Sequence, residues 1–208
     1  MHQTHVTDHK IDCLQCHLRI EHSLERNKIQ QAAANCASCH PNHHHEQVDM
    51  LRGVGATAIP AHSSAMVVAR AECLTCHRVK EVSSTGTVLW KGSLATSAMC
   101  HDLSTVKDLQ ACHAKLRAAL PEIESGIVRA RKALASAKLA PDRSAALAAE
   151  LDSLQHDLDF LRAGNDIHNT HYASSLTRAL LERVSALCRV LKTAEPTATL
   201  PPPIKLKK

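Results

Sequence analysis

A chain of 208 residues has room for one ordinary domain or two small ones, yet Trp90, Phe160 and Tyr172 are its only aromatic side chains, so its N-terminal half lacks the bulky groups that ordinarily close a core. In their place stand nine Cys and sixteen His, and only Cys188, His156, His168 and His171 lie beyond His113. The formal charge of +5 is offset once acidic cofactor groups are bound, which argues against a nucleic-acid partner, and no apolar run reaches the roughly 18 residues needed to cross a bilayer.

Residues 1–113 show little sustained periodicity, many short polar stretches and a flexible turn at Gly53-Val54-Gly55; they are expected to form loops and short helices wrapped around cofactors. From residue 114 the pattern changes. Leu116, Leu120, Ile123, Ile127, Ala130 and Leu134 alternate steps of four and three, which places them on one helix face. Pro141 and Asp142 read as a break and a new N-cap, after which Leu147, Leu151, Leu154, Leu158 and Leu161 repeat that spacing until Gly164. Asn169 or Thr170 caps a third helix carrying Tyr172, Leu176, Leu180, Val184, Leu187 and Leu191 to about Thr193, ahead of Pro196. Short connections make the three antiparallel neighbours. The expected fold is therefore mainly α: a loop-rich module with short helices over 1–113, an antiparallel three-helix bundle over 114–195, and an extended Pro/Lys tail over 196–208 that is a disordered end or a docking strap.

Three segments in the first module read Cys-x-x-Cys-His: Cys13-Leu14-Gln15-Cys16-His17, Cys36-Ala37-Ser38-Cys39-His40 and Cys73-Leu74-Thr75-Cys76-His77. Two thiols separated by two residues can each add to one vinyl group of a haem, and the His that follows is delivered to the iron as its proximal ligand. Three repeats, each with its His in place, point to c-type haem over a zinc ribbon or a thioredoxin-like pair. The first module is then haem-wrapped. Ser97-Ala98-Met99-Cys100-His101 keeps the register with Ser at the first Cys position. It holds a fourth haem through one thioether and His101, or His101 serves another haem as distal ligand, or Cys100 pairs with Cys112 as a disulfide in an oxidising compartment. Leu109-Gln110-Ala111-Cys112-His113 is a similar remnant, and Cys188 reads as a small buried residue of the third helix.

Each electron-transfer haem needs a second axial ligand, and neutral imidazole is the usual choice when the iron must not bind substrate. His22 lies five residues past His17 and His44 four past His40, while His2, His5 and His9 precede the first motif. His168 stands immediately before a helix, a rigid element able to aim it. In the run His43-His44-His45 one residue ligates haem and the others are solvated, or the run takes up a transition-metal ion. Met66 is the main alternative to imidazole, and a thioether ligand would raise that haem's potential.

On these motifs the chain resembles, over most of its length, the multihaem cytochromes c of the doubled Cys-x-x-Cys-His type, including tetrahaem and cytochrome c-554-like members. The resemblance is carried by His5 upstream of Ile11-Asp12-Cys13, Cys16-His17 followed by His22, and Cys39-His40 followed by His44 and Gln47. Gly53, Gly55, Met66 and Arg70 before Cys73, and His168-Asn169-x-x-Tyr172-Ala173 near the C-terminus, are similar too. It implies proximal ligands His17, His40, His77 and His101, with His5, His22, His44 and His168 as distal partners. The chain departs from the family at the fourth motif, where Ser97 replaces Cys and Asp102 follows the His in place of Gly.

The expected function is electron transfer between a redox-protein donor and acceptor through closely spaced, bis-His, low-spin haems, by a carrier that performs no chemistry on a substrate. One alternative is a small multihaem reductase of nitrogen or sulfur oxyanions, with an open distal site at one haem. Another is a building block of an extracellular haem filament or a subunit of a respiratory membrane complex. Covalent haem attachment follows export, so a periplasmic or extracellular location is expected. The start Met1-His2-Gln3-Thr4-His5 lacks a signal-peptide apolar region, which leaves a signal or anchor outside this numbering, or a chain that is part of something larger.

Overall fold

The structure is a computed structural model that describes residues 3–15, 44–69, 71, 73–86, 88–198 and 200. The chain divides into two compact units, Met1–His45 and Glu46–Lys208. The described part of the first holds a π-helical turn, Gln3–Asp8, and a 3-10 turn, Cys13–Gln15. Asp12 Oδ1 accepts the Leu14 N–H at 2.8 Å and so starts the second of these turns.

Across and beyond the unit boundary lie α1 (His45–Arg52), α2 (Ala65–Val68), α3 (Cys73–Cys76), β1 (His77–Val82), β2 (Val88–Gly92) and α4 (Leu94–Ser97). Three long helices follow: α5 (Leu103–Ser136), α6 (Pro141–Gly164) and α7 (Thr170–Val190), with a 3-10 turn, Asp166–His168, between the last two. The described residues are mainly α, as the apolar spacing requires.

Three details differ from expectation. The helix foreseen from residue 114 begins at Leu103, because the Asp102 carboxylate accepts the Thr105 N–H at 2.7 Å and the apolar seam extends back through buried Cys112 and Val106. It also runs through Pro121, whose missing N–H leaves the Arg117 carbonyl without its helical donor. The N-cap of α6 is Ala140, with Pro141 in the first turn, where its fixed φ suits the helix. Asp142 is therefore no cap, and its carboxylate sits in the first turn, facing the positive end of the helix dipole. Finally, residues 77–92 form an antiparallel hairpin where loops and short helices were expected, with Lys80 opposite Trp90 and Val82 opposite Val88.

Polar contacts give the helix directions. Arg131 donates to Asp152 at 2.8 Å, and Arg162 grips both oxygens of Glu124 at 3.0 and 2.7 Å, so α5 and α6 run in opposite senses. Arg183 to Glu150 at 2.7 Å and the edge-on contact of Phe160 with Tyr172 set α7 against α6 in the same way. Leu116, Ile123, Ile127, Leu151, Leu154, Leu158, Leu176, Leu180 and Val184 are buried between the three, and Met50 of α1 closes the end near Gly164. The segment after α1 is latched to this core by one buried carboxylate. Asp157 accepts from the Thr57 N–H at 2.8 Å, the Thr57 hydroxyl at 3.0 Å and the Ala58 N–H at 2.8 Å, while the Tyr172 hydroxyl accepts from the Ala56 N–H at 3.2 Å. No helix among the described residues is long and apolar enough to cross a membrane.

Candidate functional site

The third Cys-x-x-Cys-His motif is fully within the described chain. One helical turn, α3, carries Cys73 and Cys76 three residues apart and therefore on one face, and His77 opens β1 directly after it. Cys73 is exposed and Cys76 half-buried. Burial, and then the neighbouring Cys100 and Cys73 sulfurs, push the Cys76 thiol up from its ordinary value. Cys100 is thus a close neighbour of the third motif.

The hairpin fixes the chemistry of His77. Its Nδ1 lies 2.9 Å from the Trp90 carbonyl across the strand pair. A carbonyl oxygen has no proton to give, so Nδ1 carries the hydrogen and the neutral ring's lone pair sits on Nε2. The same logic holds for His168 on the 3-10 turn. Its Nδ1 stands 2.8 Å from the Gly164 carbonyl and 3.2 Å from that of Asn165, both acceptors, which again leaves Nε2 as the electron-pair donor. Histidines that ligate metals commonly give their second N–H to a backbone carbonyl in this way, which sets both tautomer and ring orientation.

These two rings stand together. Their centroids are 6.3 Å apart and their planes differ by 4°. Two metal–imidazole bonds of about 2 Å, with about 1 Å from each bonded nitrogen to its ring centre, put the centroids of a trans-ligating pair about 6 Å apart. No side chain intrudes at Gly92, where a Cβ would stand 3.8 Å from His77 Nε2.

A second imidazole pair, His62 and His171, is closer, at 4.3 Å between centroids and 22° between planes, too short to span an ion in that trans fashion. The His62 backbone is held by its own N–H on the Gly53 carbonyl at 2.8 Å and by the Asn169 amide on its carbonyl at 2.9 Å. Sequence reasoning passed over this pair, since neither residue follows a Cys.

At the incomplete fourth motif, the Cys100 and His101 N–H groups both point to the Ser97 carbonyl, at 3.1 and 2.9 Å, so the segment closes into a turn at the end of α4. Cys100 is exposed, His101 half-buried, and Cys100 and Cys112 are both free thiols. The departure at Asp102 has a structural cause: the residue caps α5. Bonds from the Ser104 hydroxyl and the Thr105 N–H hold its carboxyl down at about 2. Cys112 is sealed beside the Ser174 hydroxyl, while His113 Nδ1 lies 2.7 Å from both oxygens of Asp166, which ties α5 to the turn that carries His168. Cys188 is fully buried, and burial raises its thiol.

In the first unit Cys13 is exposed on its 3-10 turn and His5 half-buried on the π-helical turn, while His44 stands exposed before α1 with φ of 60°. Cys16, His17, His22, Cys36, Cys39, His40 and Arg70 lie outside the described residues.

Among the described residues no three His, Cys, Asp or Glu side chains converge as they would around a bare metal ion. A porphyrin asks for fewer. It brings four in-plane nitrogens, and the protein owes it two axial donors and, for covalent attachment, two thiols. His77, His168, Cys73 and Cys76 fit that demand in type, tautomer and ring separation. Comparison with family models, curated proteins and solved structures returns no match.

Proposed function

We propose that the chain is a multihaem c-type cytochrome that passes electrons between a donor and an acceptor protein outside the cytoplasm, in the periplasm or extracellularly, without chemistry on a substrate. The observation that carries the reading is the parallel His77–His168 pair beside two thiols, each ring with its Nδ1–H on a carbonyl. When bound, haem supplies the one-electron couple. Cys73 and Cys76 would hold it through thioether bonds and His77 and His168 would supply its two imidazole ligands, which would leave no position on the iron for a substrate. The carbonyls of Trp90, Gly164 and Asn165 hold each Nδ1–H, which fixes ring orientation and leaves Nε2 as the donor atom.

In this reading Cys13, Cys16 and His17, with Cys36, Cys39 and His40, hold two further haems, and Cys100 with His101 a fourth. His5, His22 and His44 are the remaining distal ligands. The N-terminal module is haem-wrapped, and α5, α6 and α7 form an antiparallel three-helix bundle whose contribution to redox chemistry is His168.

Intact mass of the native protein under denaturing conditions tests this, because thioether-linked haem survives denaturation and is counted in whole units. The expected excess is three or four haems, one for each motif. Three would remove the single-thioether attachment at Cys100, and an unmodified mass would overturn the proposal. An oxidised spectrum of low-spin, six-coordinate iron is the expected companion. A high-spin component that shifts on adding nitrite or cyanide would favour a reductase.

A further inference from the structure

The hairpin has two unlike faces. Alternate residues of a strand share a face, and directly opposed residues lie on the same one. Lys80, Val82, Val88 and Trp90 therefore stand on one side, and Val79, Glu81, Leu89 and Lys91 on the other. The second side carries its own ion pair, Lys91 to Glu81 at 2.6 Å. The first carries the chain's single Trp, left 40% exposed, with Val82 and Val88 at 63% and 44%. A two-stranded hairpin on its own is marginal in water and needs something on its apolar face.

Gly92 identifies the cover. It belongs to the same alternation as Trp90 and Val88, so the Cβ it lacks would project on their side, and that position is 3.8 Å from His77 Nε2. The ligating nitrogen therefore opens onto the Trp90 face. Two residues of strand separate Gly92 from Trp90, about 7 Å, which a Trp side chain spans. We infer that the apolar face of the β1–β2 hairpin is the cover of the porphyrin held at Cys73, Cys76 and His77, with Trp90 as the side chain that shields it from water. This rests on the haem reading above and adds which residues set that haem's environment.

Shielding is a lever on potential, because water stabilises the more positive, oxidised iron centre. The test compares the native holoprotein with W90A, W90F and L89A, the last on the opposite face. Haem number by denaturing mass and peptide mapping at Cys73 and Cys76 come first, then a potentiometric titration. W90A is expected to keep its haem count and to move one midpoint potential downward while the others stay. W90F should restore most of the shift, and L89A should move none. A W90A titration that overlays the native one, or an equal shift from L89A, would overturn the inference.

If W90A does not fold, hydrogen exchange decides. The hairpin amides should exchange more slowly in the native holoprotein than in the C73S/C76S variant, and equal rates would sink the idea. Absence of haem at Cys73 and Cys76 in the native protein is a different failure. It removes the functional reading itself, and the inference with it.

Discussion

Removing the His168 ring is the sharpest perturbation the geometry offers. Its Nδ1 is engaged by two carbonyls of the α6 end, its ring lies parallel to that of His77 at 6.3 Å, and its turn is held separately by Asp166 on His113 and by the Asn169 cap of α7. If the proposed haem is bound there, His168→Ala should thus leave the helices folded and one iron without its sixth ligand. One site in three or four then turns high-spin, so about a quarter to a third of the total haem signal changes state while the rest remains low-spin. Electron paramagnetic resonance or resonance Raman of the oxidised protein reads that fraction, and added imidazole should reverse it. His62→Ala and His171→Ala serve as controls, since rings 4.3 Å apart do not bracket an iron, and both should stay fully low-spin. A His168→Ala protein that is wholly low-spin, or one in which several haems change together, would refute the pairing of His77 with His168.

Three further outcomes follow from packing and titration. Gly126→Ala puts a Cβ 2.4 Å from Val184 Cγ1, and the overpacking should cost about 1–3 kcal/mol, partly offset by about 1 kcal/mol of helix propensity; the urea midpoint falls, and a second change, Val184→Ala, recovers it. Asp157→Ala takes the carboxylate from the Thr57 and Ala58 N–H groups, while the Thr57 hydroxyl keeps Ser153, and should lower unfolding stability by about 2 kcal/mol, with Asp157→Asn less severe. Asp102 has its carboxyl lowered from 3.8 to about 2, so its contribution is present above about pH 4 and is lost as pH falls towards 2. Amide signals of residues 103–106 should fray in that window, and Asp102→Asn should abolish the pH dependence.

The helix seams were legible because steps of three and four leave little alternative: Leu116, Ile123, Ile127, Leu151, Leu154, Leu158 and Leu180 are all buried. The start of α5 was not, since Cys112 and His113 looked like part of a ligand motif. Their burial and pairing with Ser174 and Asp166 need the partner helix to be seen. The hairpin left a faint trace in Val79, Val82, Val88 and Trp90 around the turn at Gly86, but its period-two pattern is interrupted by Lys and Glu and spans few residues. Asp142 misled because Asp is a good N-cap, whereas Pro at the first helical position had already set the helix start two residues earlier. At the site, the Cys-x-x-Cys-His spacing announces its thiols and first imidazole by itself. The carbonyls that choose the tautomers carry no side-chain signature and appear only once the backbone is folded.

The two candidate ligands come from unlike supports, and this gives the assembly a direction. His168 leaves a turn between helices whose core of Leu158, Phe160, Tyr172 and Leu176 is closed by side chains alone, so its position does not wait for a cofactor. His77 begins a hairpin whose Val82, Val88 and Trp90 remain exposed, and whose stability must come from what it covers. In the haem reading, the helical scaffold would present a pre-oriented imidazole, and thioether attachment at Cys73 and Cys76 would fix His77 and the hairpin against it. Much of the ordering cost of the distal ligand is then met by the helix core before any iron binds. A ligand held rigidly by its own carbonyls also changes little when the iron changes charge, which is what an electron carrier requires of its axial pair.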